Sequence, residues 1–171
     1  EKSDIVACAI NPVLVLGPSL SGFLSMSNRL TIKKLFNLPF VPDMAISVVG
    51  VMDVADAHVR AMESTKSNGK RFLLSEKTIK LIELTKILKK AGFNKVPKIV
   101  IPNFIFKFLA LFTPSMRSIA KRLGTFETLQ TKNANEVLEW FPNSADMEII
   151  NSAKQLYDCL LYTSPSPRDR S

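Results

Sequence analysis

The run Ile5-Val6-Ala7-Cys8-Ala9-Ile10 contains neither Gly nor Pro and leads directly into Asn11-Pro12-Val13-Leu14-Val15-Leu16-Gly17-Pro18. A short apolar run without alternation reads as a strand covered on both faces, the pattern of a parallel sheet. The stretch after it predicts a stiff loop, because two prolines fix φ and Gly17 stands beside the second. In open α/β sheets ligands bind in loops beyond the carboxyl ends of such strands. Parallel neighbours need crossovers of about a dozen residues or more, yet this strand starts almost at the first residue. The expectation is an α/β chain that forms the C-terminal part of a larger enzyme, with the partner strands upstream.

The opposite end breaks pattern as well. Cys159 to Asp169 resembles, residue for residue, the translation of a transposase-based sequencing adapter (TGT-CTC-TTA-TAC-ACA-TCT, then CCG-AGC-CCA-CGA-GAC). The expected organisation is therefore one unit over residues 1–158 and a disordered, adapter-derived tail over residues 159–171; the alternative is a natural Pro/Ser/Arg-rich tail.

Between these ends, short strands alternate with helices. A helix is predicted over residues 22–35, with Leu24, Met26, Leu30 and Leu35 facing a core. Leu38 to Pro42 reads as a loop and Ile46 to Val51 as a strand. Asp53 reads as the N-cap of a helix ending at Ser64, on which Val54, Ala55, His58, Val59 and Met62 share helical spacing. Arg71 to Leu74 predicts another strand. Ile79 to Ala91 predicts an amphipathic helix stopped by Gly92, and Lys98 to Ile101 a strand. Helices follow Pro114, span Asn133 to Trp140, and close the unit from Asp146 to Tyr157. Strand is sparse in the second half, which predicts a mostly helical lobe over the mouth of the sheet.

Several functions are disfavoured by composition. The formal charge is +8, but lysines such as Lys33, Lys34, Lys77, Lys80, Lys86, Lys89, Lys90 and Lys95 read as solvated helix faces, with no aromatic platform among them, so nucleic acid is not an expected partner. One histidine and two cysteines, Cys8 in the buried strand and Cys159 in the tail, offer neither a metal constellation nor a disulfide framework. No stretch reaches the roughly 20 apolar residues of a membrane span. The nearest, Ile99 to Phe112, is interrupted by Pro102, Asn103 and Lys107 and reads as a buried or substrate-lining helix, with membrane-surface contact a minor alternative given its crowded phenylalanines. The cytoplasm is the default location, and oligomeric state is left open.

Three segments in register carry a resemblance: Asn11 to Pro18, Val51 to Met62 (Val-Met-Asp-Val-Ala-Asp-Ala-His-Val-Arg-Ala-Met), and Gly69-Lys70-Arg71-Phe72-Leu73. Together they resemble the C-terminal half of extended short-chain dehydrogenases/reductases of the NAD-dependent epimerase/dehydratase superfamily, most nearly the dihydroflavonol-reductase-like and aldehyde-reductase-like subgroup. Val96 to Phe141, with Leu111-Phe112-Thr113-Pro114-Ser115-Met116-Arg117-Ser118, is similar to bacterial members. The resemblance implies the C-terminal portion of a Rossmann-type, doubly wound parallel sheet with a small, mostly helical substrate lobe. It implies hydride transfer between NADP(H), or NAD(H), and a ketone, aldehyde or secondary alcohol. In that family a Tyr and a Lys four residues later do the acid–base work. Neither Tyr157 nor Tyr162 has such a Lys, so no catalytic residue is assigned and the fragment alone is expected to be inactive and prone to aggregate. Pro12, Val13, Leu14 and Val15 match the segment that packs on the nicotinamide, and Ser27 matches a further cofactor contact.

Asp53, Asp56 and His58 read as a cap, a first-turn carboxylate favoured by the helix dipole and a hydrogen-bonded partial-core residue rather than as catalytic groups. Gly50-Val51-Met52-Asp53 departs from the family's Asp-Val-Arg-Asp pattern. Leu38 to Val41 and Phe104 to Phe112 are candidate walls of an apolar substrate site. The alternatives are a sugar-nucleotide epimerase or dehydratase of the same superfamily and a non-catalytic NAD(P)-binding regulator.

Overall fold

The structure is a computed structural model that describes residues 6–21 and 25–162. In chain order its elements are β1 (Ala9–Pro12), β2 (Leu14–Leu16), α1 (Met26–Asn28), a π-helical turn (Arg29–Lys33), β3 (Val41–Pro42), β4 (Ala45–Gly50) and α2 (Val51–Glu63). There follow β5 (Arg71–Leu74), β6 (Lys77–Lys80), α3 (Leu81–Lys90), β7 (Val100–Ile101), α4 (Asn103–Phe112), α5 (Pro114–Ala120), α6 (Lys132–Leu138) and α7 (Ala145–Tyr162). Strand–helix alternation yields the expected α/β architecture.

β1 and β2 are one extended passage bent at Val13. β1 pairs in parallel with β5, and the Val13 N–H adds one more bond, donating to the Leu74 carbonyl at 3.0 Å. β2 then pairs in parallel with β4. The predicted loop over Asn11 to Pro18 is therefore largely strand. Pro12, which has no donor, is the last residue of β1, where a strand tolerates it. The strand expected at Ile5 to Ile10 shifts correspondingly to Ala9–Pro12. Cys8, expected in a buried strand, is exposed, because it precedes the pairing with β5 and its segment borders an open groove beside Ile10 and Met62. The sheet is also not purely parallel: β4 and β6 run antiparallel, Ile46 opposite Ile79. Ile79, expected on the amphipathic helix, thus belongs to a strand, and α3 begins two residues later.

Side-chain alternation sends neighbouring strand residues to opposite faces. Leu14, Leu16 and Val48 join a cluster with Ile32, Leu84, Leu88, Ile149 and Leu156. Val13, Val15 and Val49 join a second cluster with Ala57, Phe72, Leu138 and Trp140. The β2–β4–β6 sheet and the β1–β5 pair that continues from it are thereby sandwiched between α1, α3 and α7 on one side and α2 and α6 on the other, with β3 and β7 forming a separate two-stranded pair. α3 ends in the predicted glycine stop: Gly92 sits at φ 97° and donates to the Lys89 carbonyl while Phe93 donates to that of Leu88. This is the paired bonding of a Schellman motif.

Two helices turn a different face inward than their spacing predicts. On α2 the buried residues are Asp53, Ala57 and Ala61, whereas Ala55, His58, Val59 and Met62 face solvent. Small side chains on the inner face let α2 lie close to the sheet, leaving the larger apolar ones outside. Around α1 the buried residues are Asn28, Ile32 and Leu35, while Met26 and Leu30 are exposed. The π-helical turn adds a residue per turn and rotates the face; Leu24 lies outside the described residues. Of the expected tail, Cys159 to Tyr162 form the last turn of α7 and residues 163–171 lie outside the described residues.

Candidate functional site

Asn11 and Pro12 stand exposed at the carboxyl end of β1, level with Leu73 and Leu74 of β5. This is the edge of a parallel pair at which open α/β sheets take ligands. Val13, Leu14 and Val15 are half-buried and belong to the two cores, with Leu14 and Val15 held in register with Val48 and Val49. The Val13 amide is already bonded to Leu74. Ser27 is half-buried on α1.

One cavity among the described residues is separate from these side chains. It has a volume of about 800 Å³ and a wall that includes Leu38, Phe40, Met44, Phe106, Leu109 and Met116. None of Pro12, Val13, Leu14, Val15 or Ser27 lines it. The structure does bring together the two segments predicted as substrate walls, since Leu38 and Phe40 precede β3 whereas Phe106 and Leu109 belong to α4. β3 pairs with β7, and β7 leads straight into α4. That pairing is what closes the cavity. Arg29, Lys33 and Lys34 also line it, with Thr31, Asn37 and Thr113, placing cations and polar groups beside a mostly apolar wall. Sequence reading treated the two lysines as solvated; the signal it missed is that Arg29, Lys33 and Leu35 fall within one π-to-α stretch turned toward the same space.

A second constellation lies where β2 and β4 end. Gly17 (φ 147°) and Gly50 meet two carboxylates: a Cβ on Gly17 would stand 2.9 Å from Glu148 Oε2, and one on Gly50 2.8 Å from Asp53 Oδ2. Asp53 is not the N-cap, a place taken by Gly50, but the third residue of α2. Its Oδ1 accepts from the Asn143 N–H at 3.1 Å and from Asn143 Nδ2 at 2.9 Å, and its carbonyl accepts from Trp140 Nε1 at 2.8 Å. Asp53 thus fastens the segment between α6 and α7. Glu148 has no hydrogen-bond partner on Oε2, and burial, then the nearby charge of Asp53, pushes its pKa up. Gly17 is fixed from the other side, its N–H donating to Ser152 Oγ and its carbonyl accepting from Asn28 Nδ2, both at 2.9 Å. Glu148 escaped sequence reading; its place one helical turn before Ser152 on α7 is the only signal for it.

His58 hydrogen-bonds as expected, Nδ1 lying 2.7 Å from the Val54 carbonyl, but it is exposed rather than part of the core. Asp56 sits in the second turn and serves its neighbour Arg60, bonded at 2.6 Å. Arg60 in turn donates to the Leu138 and Glu139 carbonyls at the end of α6. Both residues act as fasteners. No group of three or more His, Cys, Asp or Glu side chains among the described residues is placed to hold a metal ion.

No protein-family model matches the chain. It is 30% identical over 90 residues to a cinnamoyl-CoA reductase of Medicago truncatula, a match covering 53% of the chain and 27% of that protein. It is 32% identical over 107 residues to an uncharacterised oxidoreductase of Schizosaccharomyces pombe, covering 60% of the chain and 32% of that protein. Among solved structures it resembles yeast methylglyoxal/isovaleraldehyde reductase Gre2 complexed with NADPH, with a TM-score of 0.66 at 22% identity over 90% of the chain and 43% of the reductase. That last likeness is one of fold. The matches span about a third of the length of the curated relatives. With the α/β sandwich and the three segments in register, these matches make the chain similar to oxidoreductases of the extended short-chain dehydrogenase/reductase type.

Proposed function

We propose that this chain supplies the nicotinamide-side strand and the substrate lobe of an NADP(H)-dependent reductase that converts an aldehyde or ketone to an alcohol. The observation that carries this reading is the cavity of about 800 Å³ walled by Leu38, Phe40, Phe106 and Leu109. The apolar part of this wall desolvates the body of a carbonyl compound, while Arg29, Lys33, Lys34 and Asn37 supply the polar groups of the same cavity. With a reductase among the curated relatives, the reading is closer to the dihydroflavonol-reductase-like and aldehyde-reductase-like subgroup than to the sugar-nucleotide epimerases.

The residues present suit the cofactor's reactive end. Pro12 is exposed at the carboxyl edge of parallel strands, where one ring face of a nicotinamide can be held against substrate. The bound dinucleotide supplies the hydride. Val13, Leu14 and Val15 contribute rigidity, being tied to β4, β5 and both cores, so that Pro12 is presented without backbone freedom. Ser27 completes the proposed contact set. The reading carries with it a cytoplasmic location.

The test is loss of NADPH absorbance on mixing the protein that carries this chain with a panel of aliphatic and aromatic aldehydes. Leu109→Lys should raise KM for apolar aldehydes by about tenfold or more, as expected for one charge placed in an apolar wall, while leaving NADPH affinity unchanged. Turnover of nucleotide sugars but of no simple carbonyl would overturn the assignment.

A further inference from the structure

Helix α4 is apolar nearly all round, yet only one of its faces is covered. Phe106 and Ala110 are buried, whereas Phe104 (73%), Phe108 (61%), Leu111 (64%) and Phe112 (74%) are exposed. These four occupy positions i, i+4, i+7 and i+8 and so form one stripe. The rings of Phe108 and Phe112 stack edge to face at 5.4 Å between centroids, an aromatic contact made on the surface. A contiguous exposed patch of this kind marks a binding face.

Charge says what binds there. From Leu84 to Phe126 the sequence contains nine Lys and Arg and no Asp or Glu. Four of the nine, Lys86, Lys89, Lys90 and Lys95, are solvated on and just after α3 as expected, and the other five lie on or around α4 and α5 with no acid among them. On and around α4 and α5, Lys98, Lys107, Lys121 and Arg122 are exposed. Arg117 lies beneath the end of the stripe, donating to the Ala110 and Leu111 carbonyls at 3.3 and 2.9 Å, which fixes α5 against α4.

We propose that the α4–α5 face docks on the surface of an anionic lipid bilayer, phenylalanines in the acyl boundary and cations at the headgroups. A second copy of the chain is a poor occupant, because a two-fold contact sets a patch against itself and would oppose these cations with no acid to pair them. A nucleic acid satisfies the cations but gives Leu111 and the Phe stripe little to bury against. A bilayer with anionic headgroups satisfies both. α4 is 10 residues long, far short of a span, and among the described residues no helix is long and apolar enough to cross a membrane. The contact is therefore peripheral. α4 also lines the cavity through Phe106 and Leu109, so docking would bring the cavity wall to the lipid boundary.

Flotation of the full chain through a sucrose gradient tests this, since bound protein rises with vesicles while aggregates sink. The chain is expected to float with vesicles of equal parts phosphatidylcholine and phosphatidylglycerol at low salt, and to stay down with phosphatidylcholine alone. Phe108→Ser with Phe112→Ser, both exposed and so compatible with folding as checked by circular dichroism, should lower partitioning at least about tenfold. Lys107→Glu with Lys121→Glu should abolish the preference for anionic lipid, at about fivefold or more per charge. No flotation with either vesicle overturns the proposal. So does equal flotation of the Phe variant. Binding to heparin that the Phe variant retains would identify a polyanion site instead, and a dimer dissolved by the Phe substitutions, without flotation, would identify a self-association face.

Discussion

Four of the described glycines have positive φ, and substitution separates Gly17 from Gly92. A Cβ on Gly17 would stand 2.3 Å from Val51 Cγ1 and 2.9 Å from Glu148 Oε2, so both conformation and space forbid it. Gly17→Ala should destabilise by about 3 kcal/mol in urea unfolding. Gly50 is tied to the same carboxylates, and this explains a departure from the family pattern: an Asp at that position would push a third acid against Asp53 and Glu148. Glu148 itself gives a pH signature. Its folded-state pKa is raised by burial and by Asp53, so the native state holds its proton more tightly than the unfolded chain. The stabilisation is complete below the ordinary value of 4.5 and is lost as pH rises through the folded pKa. Glu148→Gln, which keeps the shape and can donate toward Asp53, should leave stability near pH 4 unchanged and raise it at pH 7 by less than about 1 kcal/mol, since solvent screens a partly exposed carboxylate, flattening the profile of midpoint against pH. The Asp53 carboxylate was legible in sequence as a helix-start acid, but its true partners, Asn143 and the 140–143 segment, are about ninety residues away. No local pattern announces them.

At the scale of elements, local signals were read well and faces were read poorly. The stop of α3 needed only Gly92 after a basic last turn, and the structure has that motif. Because a Cβ there meets nothing within 4 Å, Gly92→Ala should cost only the backbone penalty of about 1 kcal/mol, seen as a lower urea midpoint with an unchanged slope. Of the face expected on α2, Val54 packs on the core, but the rest was misread because Ala57 and Ala61 carry little hydropathic weight, whereas Val59 and Met62 carry much; close approach to the sheet, not hydropathy, chose the buried side. The face around α1 depends on a π-helical turn, which no periodicity of 3.6 can anticipate. The segments 38–41 and 104–112 were each recognised as apolar walls, but their meeting depends on the two-residue pairing of β3 with β7, too short to leave a trace in sequence. The three cations beside them at residues 29, 33 and 34 were legible only as charge.

For the whole molecule, fold class and the likeness to known reductases were accessible because three motifs in register constrain one another, while the location of the cavity had to come from tertiary structure. Among the described residues β1 pairs only with β5, which leaves its other side an edge of the kind that invites pairing with other chains. One further property belongs to the molecule as a unit. The passage from Ala9 to Leu16 contributes alternate side chains to both hydrophobic clusters, so neither layer can dissolve without withdrawing residues from the other. Partial opening of a single layer then has no stable product. In hydrogen–deuterium exchange, the amides of Leu16, Val48 and Val49 should exchange only through global unfolding, at one common rate-limiting free energy that tracks added denaturant with the full slope. A bend at one valine thereby makes the two faces of this sheet a single kinetic unit.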